Sequence, residues 1–176
     1  MRRSLPPAAK TKLILRGRVV VPGLAEGTAL VTTEPISGWG GIDPAKGTII
    51  ERRHELYGAC FTGKVLVFPS AKGSSGWAGF FQATRLNGTA PLAMVITKIS
   101  AKSALGAVVT RLPTLTDLDD DPCAVIATGD YVHVDANSGQ LLCWVAALGQ
   151  GSTTRKPGPL SERTRPSGSL QAPRLL

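Results

Sequence analysis

Aromatic residues make up only 5% of this 176-residue chain. So few rings exclude the base-stacking platform on which single-stranded nucleic acids are usually held. Histidine is scarcer still, with His54 and His133 alone. The three cysteines, Cys60, Cys123 and Cys143, are odd in number and far apart, and no CxxC or His/Cys cluster accompanies them. The chain therefore lacks a ligand set for structural zinc or for an iron–sulfur cluster of its own; reduced, buried thiols are expected instead. No apolar run approaches the roughly 18 residues of a membrane helix. Pro6, Pro7, Lys10 and Lys12 interrupt anything resembling the apolar core of a signal peptide. These absences predict a soluble, cytoplasmic protein with no membrane partner.

What is present is a composition that folds, with 43% hydrophobic and 18% charged residues. The formal charge of +8 invites a nucleic-acid reading until it is located. Residues 1–18 carry six bases and no acid, and residues 151–176 carry five bases and Glu162. Residues 19–150 hold nine bases against eleven acids, so the basicity belongs to the ends and the body is slightly acidic. From Gly149 the chain alternates Pro157, Pro159, Pro166 and Pro173 with Ser, Gly and Arg, a pattern with no apolar face. Residues 1–10 and 149–176 are therefore expected to be disordered, and 11–148 to form one folded domain.

Within that body, LILRGRVVV (13–21), TALVTT (28–33), KVLVF (64–68) and PLAMVIT (91–97) read as strands. AVIATGDYVHVDANSGQLLCWVA (124–146) adds strands at 124–127, 131–135 and 140–146, joined by glycine turns. In YVHVD, Val132 and Val134 face one way and Tyr131, His133 and Asp135 the other. Trp77, Phe80, Phe81 and Thr84 recur at roughly helical spacing over 75–86, as do Ala101, Ala104, Leu105 and Val108 over 100–108. Many strands with two helices in one small core predict an α/β domain with a barrel-like or sandwiched sheet.

Two stretches invite a chemical reading. After strand 64–68 the chain runs Pro69-Ser70-Ala71-Lys72-Gly73-Ser74-Ser75-Gly76 into a helix. A Gly/Ser loop at a helix start aims free N–H groups and the positive dipole end at one point, where a hydroxyl binds an anion or loses its proton more easily. The plain alternative is that Ser74 or Ser75 caps the helix. The spacing is not that of a phosphate-binding GxxxxGK[ST] loop. Upstream, SGWGGIDPAKGTIIERRHELYG (37–58) surrounds Trp39 with Gly38, Gly40 and Gly41 and turns at Asp43-Pro44. It suits a loop lining a pocket or docking on a partner, or a plain surface loop. His54, among charged neighbours, reads as an acid/base group or as a solvated or hydrogen-bonding histidine. Asp117, Asp119, Asp120 and Asp121 lack the Gly and terminal Glu of a calcium loop and read as a solvated acidic turn.

EPISGWGGIDPAKGTIIERRHELYG followed by GKVLVFPSAKGSSG, GTAPLAMVITK, ALGAVV and TGDYVHVDANSGQL resembles the small-subunit (swivel) family of aconitase X, over about residues 16–142. The resemblance implies a swivelling β/β/α domain that works with a large catalytic subunit carrying an iron–sulfur cluster. It implies dehydration of a small hydroxy acid, 5-phosphomevalonate in archaeal members and cis-3-hydroxy-L-proline in bacterial ones. In the wider superfamily this domain supplies a serine base from a GSS loop. By position that base is Ser74, supported by Ser75, the N–H groups of Gly73 and Gly76, and Lys72. Trp39, Gly40, Gly41, Asp43 and His54 are then candidates for the pocket or the subunit interface. Two departures stand out. Gly76 replaces the Arg that follows GSS in aconitases, which argues against citrate-type substrates, and Lys72 stands where members more often have Arg.

Dehydration of a β-hydroxy acid needs a base for the α-proton and an electrophile for the leaving hydroxyl. A chain with no metal ligands of its own fits one half of that division. The expectation is a small subunit active only with its large partner. The Arg/Pro/Ala-rich extensions favour hydroxyproline as substrate, with phosphomevalonate the alternative. The rival from another class is a non-catalytic binding or scaffold module whose basic ends hold nucleic acid or an acidic partner.

Overall fold

Short β-branched and aliphatic runs separated by glycine turns form most of the molecule's strands. The computed structural model describes residues 10–146. In chain order the elements are β1 (Lys10–Arg16), β2 (Arg18–Val21), β3 (Leu24–Val31), β4 (Ile36–Ser37), β5 (Ile42–Asp43), β6 (Thr48–Ile49), β7 (Val65–Phe68) and β8 (Ala71–Lys72). There follow α1 (Trp77–Leu86), β9 (Ala93–Ile96), α2 (Ala101–Thr110), β10 (Thr114–Thr116), α3 (Pro122–Val125), β11 (Tyr131–Asp135) and β12 (Gln140–Ala146). Lys10, placed by the sequence in a disordered end, opens β1 and pairs with Ala146. The rest of the two expected disordered stretches lies outside the described residues. Among the described residues no helix is long and apolar enough to cross a membrane.

Eight strands form one sheet in the order β1-β12-β11-β3-β7-β9-β10-β2. Its outermost members, β1 and β2, are consecutive in the chain with only Gly17 between them, so one bent ribbon serves both edges and the sheet curls into a barrel-like form. Leu13–Val21, expected as a single strand, is thus broken in two. The break needs glycine, because a Cβ at residue 17 would sit 2.7 Å from the carbonyl oxygen of Thr116.

At the centre, β3, β7, β9 and β10 are parallel neighbours. α1 connects β7 to β9 and α2 connects β9 to β10. Of these, β7, β9 and β10 are buried on both faces, as parallel strands usually are. Val65, Val67, Ala93 and Val95 join Leu15, Val132, Val134 and Leu141 in one apolar cluster. The alternate residues Leu66, Phe68, Met94 and Ile96 pack with Trp77 and Phe81 of α1 and with Ile36, Ile42 and Ile49 of the excursion after β3.

Three local expectations are corrected. Residues 124–127, expected as a strand, overlap the short helix α3, because Pro122 at its start is compatible with a helix and the Asp121 carboxylate caps the Cys123 N–H at 3.1 Å. β10 was not expected; its three residues TLT give too short a pattern to register. The acidic turn is solvent-exposed at all four aspartates, as expected; within it Asp117 pairs with Arg18 and Asp119 accepts the Arg16 N–H. The α2 stripe of Ala101, Leu105 and Val108 is exposed, and the helix buries Ser103, Gly106, Ala107 and Thr110 instead.

Candidate functional site

The two unusual stretches of the sequence are joined by a strand pair. β4 lies parallel to β8, with Ile36 opposite Ala71 and Ser37 opposite Lys72. The loop Gly73–Gly76 therefore leaves β8 directly beside the Gly38–Gly41 turn. The Trp77 indole donates to the Ile36 carbonyl at 3.0 Å and so ties the start of α1 to the same strand. Gly73 has φ +87°, and a Cβ there would approach the Ser37 hydroxyl to 3.2 Å, so both conformation and space favour glycine.

The N-cap of α1 is Gly76, with no side-chain hydrogen bond to the helix N-terminus. Ser74 and Ser75 are thus not capping residues, and that alternative is set aside. Both are exposed, as are Gly73 and Gly76. The Trp77 N–H reaches the Ser74 carbonyl at 3.2 Å. No acidic residue stands in the first turn of α1 to offset its positive end. A hydroxyl at such a helix start is well placed to carry negative charge.

Two lysines flank the loop. Lys72 pairs with Glu51 at 2.6 Å, and the second oxygen of Glu51, Oε2, is buried without a partner. Lys102, on α2, donates to the Gly73 carbonyl at 2.6 Å. A cleft of about 440 Å³ opens here, lined by Ser75, Ser100, Ala101, Lys102 and Leu105. Sequence inspection missed Lys102, Ser100 and Leu105. The available signal was topological: α1 and α2 both start beyond the C-terminal ends of neighbouring parallel strands, where α/β folds commonly place ligands.

The remaining candidates divide. Trp39 is 75% exposed and packs against Phe80 of α1 with ring centroids 5.9 Å apart, so it borders the loop. Gly41 is buried, and a Cβ there would collide with the Ser37 carbonyl at 2.2 Å. Gly40, at φ +66°, has open space around it. Asp43 serves its own turn, accepting the N–H groups of Ala45 and Lys46 at 2.9 and 3.3 Å. Of the two plain roles for His54, solvated or hydrogen-bonding, the structure shows the second: its ring is fully buried. Nδ1 accepts the Leu56 N–H at 3.1 Å, which leaves the proton on Nε2, an atom with no partner among the described residues. No hydrogen bond links His54 or Asp43 to loop 73–76 among the described residues. Nearby, Glu55 accepts from the hydroxyls of Thr32 and Thr33 and from the Thr33 N–H, and these bonds hold its carboxyl below the ordinary value, the Thr32 hydroxyl foremost.

The cysteines do not converge. Cys60 is exposed with its Sγ towards the Lys46 carbonyl, Cys123 packs against Thr97, and Cys143 is buried near Asp130. Burial pushes the thiols of Cys123 and Cys143 up to about 11, which disfavours the thiolate that cluster ligation requires. These residues do not fit an iron–sulfur cluster.

Comparison with known proteins places this architecture. The profile of the aconitase X swivel domain matches residues 14–143. The phosphomevalonate dehydratase small subunit of Methanocella arvoryzae is 39% identical over 125 residues, 71% of this chain and 95% of that one. Its counterpart from Methanosarcina acetivorans is 35% identical over 127 residues, 72% of this chain and 88% of that one. The crystal structure of aconitase X from Thermococcus kodakaraensis, in its holo form, superposes with a TM-score of 0.71 at 34% identity, covering 74% of this chain and 98% of that one. A UPF0107 protein solved by NMR gives 0.66 at 36% identity, covering 74% and 97%. The chain belongs to the aconitase X swivel-domain family.

Proposed function

We propose that this chain is the small subunit of an aconitase-X-type dehydratase, active only with its large subunit, and that Ser74 is the base. The observation that carries the reading is the state of the Gly73–Gly76 loop. It offers exposed hydroxyls, free of any capping duty, at a helix start with no neutralising acid. Deprotonated Ser74 takes the proton from the carbon next to the substrate carboxylate, the C–H pair becomes the double bond to the adjacent carbon, and that carbon's hydroxyl leaves as hydroxide to the electrophile that the large subunit would supply. The N–H groups at the α1 start stabilise the alkoxide before the transfer, and closure against a partner excludes water from it. Ser75, one residue on, lines the cleft where the substrate would lie. The iron–sulfur cluster that the resemblance implies is assigned to the large subunit, since the cysteines here do not converge.

For the substrate, the relatives' names favour 5-phosphomevalonate. A helix start without acids suits a molecule that carries anionic groups. The case for cis-3-hydroxy-L-proline rests on the extensions, most of which lie outside the described residues. Co-expression of both subunits and assay with each compound tests the reading. Ser74→Ala is expected to lower turnover by at least about 100-fold while the subunits still co-purify. Full activity of Ser74→Ala with a dead Ser75→Ala moves the base by one residue. Turnover of hydroxyproline alone overturns the substrate assignment, and an inactive complex on both overturns the function.

A further inference from the structure

We propose that Lys102 is the positioning residue for Ser74, reaching across from α2 to fix the peptide that carries it; the inference rests on the dehydratase reading. Lys102 Nζ donates to the Gly73 carbonyl oxygen at 2.6 Å. That carbonyl carbon is bonded to the Ser74 nitrogen, so the bond clamps the plane from which the Ser74 side chain springs. Few other restraints act there. Gly73 has φ +87° and no side chain, and the loop is exposed from Gly73 to Gly76. Lys102 itself is well anchored at its root. It sits in the first turn of a helix whose start is locked by a reciprocal Ser100–Ser103 capping box. α2 is in turn packed tightly against α1, because Gly106 lets the Trp77 ring lie against its backbone.

The two lysines at the loop differ in a way that separates their roles. Lys72 is engaged by the Glu51 carboxylate. No described carboxylate lies within 4.0 Å of Lys102, so its ammonium is committed to the Gly73 carbonyl. On the free chain this is a surface hydrogen bond of small energetic weight. Covered by the large subunit it becomes a desolvated, charge-assisted one, and its hold on the loop strengthens when the base is needed. Lys102 acts through Ser74, by keeping the alkoxide aimed at the proton it removes.

The test compares Lys102→Met, Lys102→Arg and wild type in the two-subunit complex, and the same three full-length chains alone by amide NMR. Lys102→Met is expected to lower kcat by about tenfold to a hundredfold, the usual penalty for a misaimed reacting group. KM should stay within about twofold, since the substrate contacts are kept. Lys102→Arg, which still donates to a carbonyl, should recover most of the loss. In the isolated chain Lys102→Met should shift the Ser74 amide resonance, and Lys102→Arg should shift it less. A raised KM with kcat intact would make Lys102 a substrate ligand and overturn the proposal. Unchanged kcat with an unmoved Ser74 amide would overturn it too. If the wild-type complex turns over neither substrate, the dehydratase reading fails, and Lys102 as its positioning residue falls with it; the NMR arm then reports whether the clamp on the loop exists.

Discussion

Replacing Gly106 with alanine sets a methyl group 2.3 Å from Trp77 Cζ3 and 2.7 Å from Cε3. Neither partner has room to yield. The Trp77 side chain is 1% exposed, stacks on Phe81 with centroids 4.0 Å apart, and donates from its indole nitrogen to Ile36. Overpacking of this kind costs about 1–3 kcal/mol. Shifting the ring instead puts at risk a hydrogen bond worth about 1 kcal/mol and an aromatic stack worth about 0.5–1.5 kcal/mol. Against this stands the gain of roughly 1 kcal/mol from alanine in a helix interior. The net expectation is a loss of about 1 kcal/mol, or a Tm lower by roughly 3–5 °C for a body of this size. Thermal melts of the isolated chain measure it. In a Trp77→Leu background the same substitution should become neutral or favourable, a coupling of about 1 kcal/mol or more. An equal penalty in both backgrounds, or a Tm at or above wild type for Gly106→Ala alone, would refute the reasoning.

Two further predictions concern titrating groups. Iodoacetamide at mildly alkaline pH should modify Cys60, which is exposed, and spare Cys123 and Cys143, whose thiols burial raises to about 11; peptide mass mapping of the folded chain checks this. Because Glu55 is held below the ordinary 4.5, its contribution to stability is fully present above that pH and is lost as pH falls through its folded-state value. Glu55→Gln should therefore be less stable than wild type at neutral pH, and the gap should close on acidification, as read by denaturant titration across the acid range.

The strands of the body were legible because their residues carry their own signal. Val132 and Val134 alternate with more exposed neighbours, as the pattern YVHVD implies, and KVLVF and PLAMVIT are apolar enough to lie buried on both faces. The misread α2 face has a physical cause. Its apolar residues Ala101, Leu105 and Val108 form a helical stripe, but what α1 requires of its neighbour is smallness, supplied by Gly106 against the Trp77 ring, with Ser103 and Ala107 buried on the same helix. Periodicity counts hydrophobic residues and does not see a tight helix crossing. The serine loop could be located from its strand–loop–helix context, but whether Ser74 and Ser75 cap the helix depended on where the first helical residue falls, a matter of one position. The start of α2 after a parallel strand marks the region of Lys102, but its contact is not legible in the sequence, because its partner is a main-chain carbonyl 29 residues away.

The pairing of Lys10 with Ala146 gives the molecule a mechanical direction. β1 and β12 are antiparallel and their outer ends meet, so the chain on either side of the body is tethered at one spot on the sheet. Tension applied between those two tethers would load the β1–β12 hydrogen bonds one after another from that spot towards Arg16 and Gln140, peeling the seam rather than shearing it.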